Sequence, residues 1–181
     1  AMALFVTHLS AAMATLVWLA IEWVQLGKPS VLGAATGSIA GLAAITPASG
    51  YVGPIGALAI GAASAVLCYV FATKLKQRLK YDDSLDVFGV HGVGGFLGTI
   101  LCGVFAAEMF GGNQAGAESY SILGSVWTQF VGASSAAIYT IIATIVILKL
   151  TQLLVGLRVD ATTETRGLDL SEHEERGYIL H

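Results

Sequence analysis

Charge is what this sequence has least of. Lys, Arg, Asp and Glu together make up 12% of its 181 residues, where globular domains run near ~25%. That shortage excludes the charged surface that a soluble domain of this length would carry. Nothing between Phe88 and Ala107 carries a fixed charge. Cysteine is scarce as well. Cys68 and Cys102 lie in apolar stretches with no CxxC and no Cys/His ligand spacing, so they read as small buried hydrophobes. Missing too are a nucleophile motif, paired carboxylates in the apolar stretches, a metal-ligand cluster and a phosphate loop with its lysine. No enzyme, no cofactor and no nucleic-acid partner is expected. Ala1-Met2-Ala3-Leu4 lacks the basic flank of a signal peptide.

What is present is apolar sequence, with 55% hydrophobic residues and a mean hydropathy of +0.75. About 20 consecutive apolar residues cross a bilayer as a helix. Five stretches qualify as candidates: Ala3–Trp23, Ser30–Ile45, Val52–Ala72, Val87–Ala107 and Ile122–Val155. The fold class is therefore all-α membrane protein, with five transmembrane helices at 1–158 and a polar tail at 159–181. The second stretch is short and ends at Thr46-Pro47-Ala48-Ser49-Gly50, where a helix should break near one membrane face. The fifth is longer than a straight crossing needs and should tilt or project beyond the bilayer.

The nine Lys and Arg residues set the orientation. Lys28 follows the first span, and Lys74, Lys76, Arg78 and Lys80 follow the third. Lys149 and Arg158 end the fifth, and Arg166 and Arg176 lie in the tail. Because spans alternate direction, all of these fall on one side. Thr46–Gly53 and Glu108–Ser121 hold no Lys or Arg. The positive-inside rule places the tail in the cytoplasm and Ala1 outside. The Lys74–Lys80 run could also meet anionic lipid head groups.

His91 stands out within the uncharged stretch. A titratable ring in a membrane segment is expensive to keep and points to an ion or proton pathway. It could instead hydrogen-bond a neighbouring helix. A neutral imidazole carries one donor and one acceptor nitrogen, which suits it to hold a small solute or relay a proton. Gly95 and Gly98 follow on the same helical face and could leave room beside the ring. Gly33, Gly37 and Gly41 form two GxxxG steps, which favour close helix packing. Asp82, Asp83 and Asp86 are expected to cap the fourth helix. His8 should face an outer vestibule, and Glu22-Trp23 should mark the inner end of the first span.

The run Asp86-Val87-Phe88-Gly89-Val90-His91-Gly92 resembles the signature of the ammonium transporter (Amt/Mep/Rh) family, on its bacterial and archaeal Amt branch. So do Gly27-Lys28-Pro29-Ser30, Thr46-Pro47-Ala48-Ser49-Gly50-Tyr51, Val155-Gly156-Leu157-Arg158-Val159 and, in the tail, Glu164, Gly167-Leu168-Asp169 and His173. The resemblance implies the last five of eleven helices, in a homotrimer with one pore per subunit. On that basis the chain is expected to be one part of a longer or split transporter, with the N-terminal half as its partner. His91 matches the second pore histidine; Asp86, Val87 and Thr46 match pore-lining or supporting positions. The implied function is passage of ammonium or ammonia through a hydrophobic pore in the cell's inner membrane. The alternative is an ammonium-sensing membrane domain coupled to a cytoplasmic output, and a third is an inert packing fragment. The tail residues Glu164, Gly167, Asp169 and His173 imply regulation, including by a PII-type signal protein. The family pattern continues His-Gly-Glu, whereas Glu174 follows His173 here, so the local turn is expected to differ.

Overall fold

The computed structural model describes residues 1–113 and 120–175, and among them every regular element is helical. Arg176, one of the basic residues of the orientation argument, lies outside the described residues. Two compact units divide the chain, Ala1–Ser134 and Ser135–His181. The first contains α1 (Met2–Leu26), α2 (Val31–Ile45), α3 (Pro54–Leu79), α4 (Val87–Phe105) and the start of α5 (Ile122–Leu154). The second holds most of α5 and two short tail helices, α6 (Ala161–Arg166) and α7 (Leu168–Glu172).

The helix ends follow local chemistry. Gly27 takes the left-handed conformation (φ 79°) and returns its N–H to Trp23 O, which ends α1. Ser30 starts α2, its Oγ accepting the Gly33 N–H at 2.8 Å. Pro47 lies just past the end of α2, and Pro54 opens α3, where its missing N–H costs nothing. Four helices, α1, α3, α4 and α5, are long and apolar enough to cross a membrane. The 15 residues of α2 rise only about 22 Å, short of a hydrocarbon core of roughly 30 Å. The expected short second segment is thus observed.

Small residues bring the first three helices together. A Cβ at Gly37 would lie 2.7 Å from Trp18 Cβ, and one at Gly41 would lie 2.6 Å from the Ser10 carbonyl oxygen. From α3, Gly61 approaches the same Ser10 oxygen. Ser10 Oγ donates to Gly41 O at 3.0 Å, so one buried serine joins three backbones. The GxxxG steps therefore act in packing. Two apolar clusters result. One gathers Val6, Ile45, Val52, Ile60 and Cys102. The other gathers Trp18, Cys68, Tyr69 and Val90, with the Trp18 and Tyr69 rings edge-to-face at 5.2 Å. Outside these clusters large apolar side chains such as Leu4, Leu16, Val24 and Leu85 are exposed, and no residue of α5 is buried. That distribution suits lipid or protein cover better than water.

Candidate functional site

His91 lies in a π-helical turn, Val87–Gly92, at the start of α4. A second π-turn, Val70–Leu75, lies in α3 and packs against the first. A Cβ at Gly89 would stand 2.9 Å from Ala72 N, and the Phe71 and Phe88 rings are 6.2 Å apart. Tyr81 packs edge-on to Phe88 at 5.9 Å. The Cys68 thiol reaches toward the Val90 carbonyl at 3.8 Å. Well under ~1% of residues are π-helical, and such turns favour functional sites. The spacing of apolar residues gave no sign of either.

The aspartates divide their work. Asp83 is the cap, with one carboxylate oxygen accepting from Val87 N at 2.8 Å and the other from Phe88 N at 2.9 Å. Asp86 does not cap, contrary to expectation. Its backbone takes a left-handed conformation (φ 53°), and its side chain pairs with Lys76 Nζ at 2.7 Å. Lys76 comes from the end of α3, so the loop between α3 and α4 brings the two ends together. Asp82 is exposed and, among the described residues, makes no capping bond.

His91, Gly92 and Val87 are exposed on the first unit. A Cβ at Gly95 would meet nothing within 4 Å, so an uncovered strip continues one turn past the imidazole. Gly98 differs from the expectation: a Cβ there would overlap the Ala44 carbonyl, so this glycine seats α4 on α2 and makes no room for a solute. Thr46 caps the end of α2, donating from Oγ1 to Leu42 O at 2.7 Å. It is exposed and belongs to the other loop end of the unit, where Asn113 joins the α2–α3 turn through Tyr51 O at 2.9 Å and Gly50 O at 2.7 Å. A cleft of about 230 Å³ opens there beside Pro47, Tyr51, Tyr120 and Gln129, and it includes neither Thr46 nor His91. His8 is exposed.

Glu22 carries a role that position alone concealed. It is 8% exposed and accepts from Ser30 N at 2.8 Å and Ser30 Oγ at 3.2 Å. Gly33 leaves the space its carboxylate occupies. A buried charge is thus tied to the N-terminus of α2, where the helix dipole favours an anion. The signal was Glu22 eight residues before an N-cap serine with a glycine three further on, a pattern that spacing rules for single helices do not read.

In the tail, Asp160 caps α6. Hydrogen bonds from the Thr162 hydroxyl and from Thr163 hold its carboxyl well below the usual carboxylate range. Arg158 pairs with Glu164. Gly167 joins α6 to α7 at φ 101°, and Asp169 lies in the first turn of α7. Glu174 takes a left-handed backbone (φ 54°), and Glu175 N closes a turn on Asp169 O at 2.9 Å. A non-glycine residue holds this turn at a cost, because a Cβ disfavours that conformation by roughly 1 kcal/mol. Glu174→Gly should therefore slow exchange of the Glu175 amide about threefold to fivefold, readable by hydrogen–deuterium exchange; unchanged exchange would contradict it.

Comparison with known proteins gives these features a lineage. The family model described as Ammonium Transporter Family matches residues 1–178. A putative ammonium transporter of Methanothermobacter thermautotrophicus is 39% identical over 98% of this chain and 44% of its own length. The crystal structure of Saccharomyces cerevisiae Mep2 superposes with a TM-score of 0.77 at 33% identity, over 89% of this chain and 37% of that one. A solved sensor Amt protein gives 0.84 at 28% identity, over 94% of this chain and 41% of that one. The chain spans less than half the length of these relatives. With its membrane-length apolar helices, it is a multi-pass membrane protein, and it belongs to the ammonium transporter family.

Proposed function

We propose that this chain forms one wall of a pathway for ammonium or ammonia across the cell's inner membrane, as part of an Amt-type transporter. The single observation that carries this reading is the exposed His91 on a π-turn, followed by the open strip at Gly95. Val87 and Asp86 flank the histidine at the cytoplasmic end, and Thr46 stands at the outer helix break. An ammonium ion faces a large desolvation penalty in an apolar tunnel. Its passage is eased if it gives up one proton to an imidazole nitrogen or to water. Ammonia then crosses, and the proton follows along the imidazole and water. His91, able to accept at one nitrogen and donate at the other, supplies one station of that relay.

The remaining wall belongs to an N-terminal half of the transporter, and the functional assembly is a homotrimer surrounded by membrane lipid. All Lys and Arg fall at one end of the spans, so the C-terminal region faces the cytoplasm. There Glu164, Gly167, Asp169 and His173 form a regulatory arm open to a PII-type signal protein. The sensor Amt likeness favours one second reading, a membrane domain that binds ammonium and signals with little transport. An ammonium pulse applied to proteoliposomes of the purified protein separates the two. A transient current, absent with potassium, is expected from a transporter. Saturable ammonium binding without current would support the sensor.

A further inference from the structure

Four observations meet at the cytoplasmic end of α3 and α4. The two π-turns face each other with backbone-to-backbone closeness at Gly89 and Ala72. The connection between α3 and α4 carries two non-glycine residues with left-handed backbones, Lys80 and Asp86, each at φ 53°. Asp86, the second of these, is the residue from which α4 departs. Its carboxylate is gripped by Lys76, the first residue after the α3 π-turn, at 2.7 Å. A left-handed non-glycine residue is maintained only when its surroundings hold it. The Asp83 cap fixes the amides of Val87 and Phe88, and the Lys76 pair fixes the side chain of Asp86.

We propose that Lys76 is a positioning residue for His91: by holding Asp86 it sets the register of the π-turn and hence the direction in which the imidazole leaves α4. A π-turn accommodates one residue more than the α-helix it interrupts. If the turn relaxed to α-helical geometry, His91 would rotate about the axis by roughly 100° relative to the residues before it. The neighbouring cations do not share this role. Lys74 is exposed, whereas Lys76 is half-buried against the pair. The inference rests on the transport reading above and adds a residue remote from the imidazole to its machinery.

The test uses Lys76→Met, Lys76→Arg and, as a surface control, Lys74→Gln, each purified and reconstituted like the parent protein. Hydrogen–deuterium exchange at 87–92 reports the turn directly and needs no transport. Lys76→Met should raise exchange there about threefold to fivefold, in line with loss of a partly exposed pair. Lys76→Arg and Lys74→Gln should match the parent. In proteoliposomes the ratio of ammonium to methylammonium current should change at least about twofold in Lys76→Met and recover in Lys76→Arg. That ratio is independent of how much protein folds, so a purely structural role would leave it fixed. Unchanged exchange at 87–92 in Lys76→Met would overturn the proposal. So would altered exchange with an unaltered ratio. No current from the parent protein would instead count against the transport reading, with the exchange data still deciding whether Lys76 holds the turn.

Discussion

Gly98→Ala is expected to lower the stability of the helical core by about 2 kcal/mol. The added methyl would overlap the Ala44 carbonyl of α2, which belongs to a buried backbone and has nowhere to go. Forcing α4 away from α2 costs about 3 kcal/mol on the scale of overpacked cores. Alanine offsets about 1 kcal/mol of this through its better helix propensity. Gly95→Ala provides the internal comparison, since its methyl meets nothing within 4 Å and should be neutral or slightly stabilising. Denaturation in mixed micelles, followed by far-ultraviolet circular dichroism, would measure both. Equal stability of the two variants would refute the assignment of Gly98 to helix packing.

Glu22→Ala should be the more damaging change, at about 3 kcal/mol. Truncation removes two hydrogen bonds from Ser30 to a carboxylate, each of the charge-assisted kind. It also empties the space under Gly33 that the side chain fills, a cavity with its own cost. The released Ser30 still caps α2 through Gly33 N, so the helix should start in the same place while its seating on α1 loosens. Glu22→Gln keeps the shape and one acceptor and should lose roughly 1 kcal/mol. The same micelle denaturation distinguishes these cases. A Glu22→Ala protein as stable as the parent would mean that burying the charge costs as much as its bonds return.

The chain's long apolar runs made the helices legible, because a bilayer span imposes length and purity on its sequence, although α3 runs past the expected Ala72 to Leu79. The expected Ile122–Val155 and the observed Ile122–Leu154 differ by one residue. The break at Thr46-Pro47 was legible for the same reason, as the chemistry of ending a helix is local. Tertiary contacts were not. Gly95 and Gly98 have equivalent spacing from His91, yet only one meets another backbone. Three aspartates in sequence looked like one cap, but only Asp83 forms it, and Asp86 turns to a lysine ten residues earlier. Both π-turns escaped notice because apolar membrane sequence has no polar face whose period could slip. His91 itself stood out for the opposite reason, as the one imidazole in a segment without fixed charge.

On the proposed reading His91 contacts what passes. Its most direct test is the current evoked by an ammonium pulse on proteoliposomes, compared between the parent protein and His91→Ala at equal folded protein. A current is expected in the parent, and in the variant a fall of about tenfold or a changed preference between ammonium and potassium, because the proposed relay would have lost a station. A variant current matching the parent in size and selectivity would contradict it.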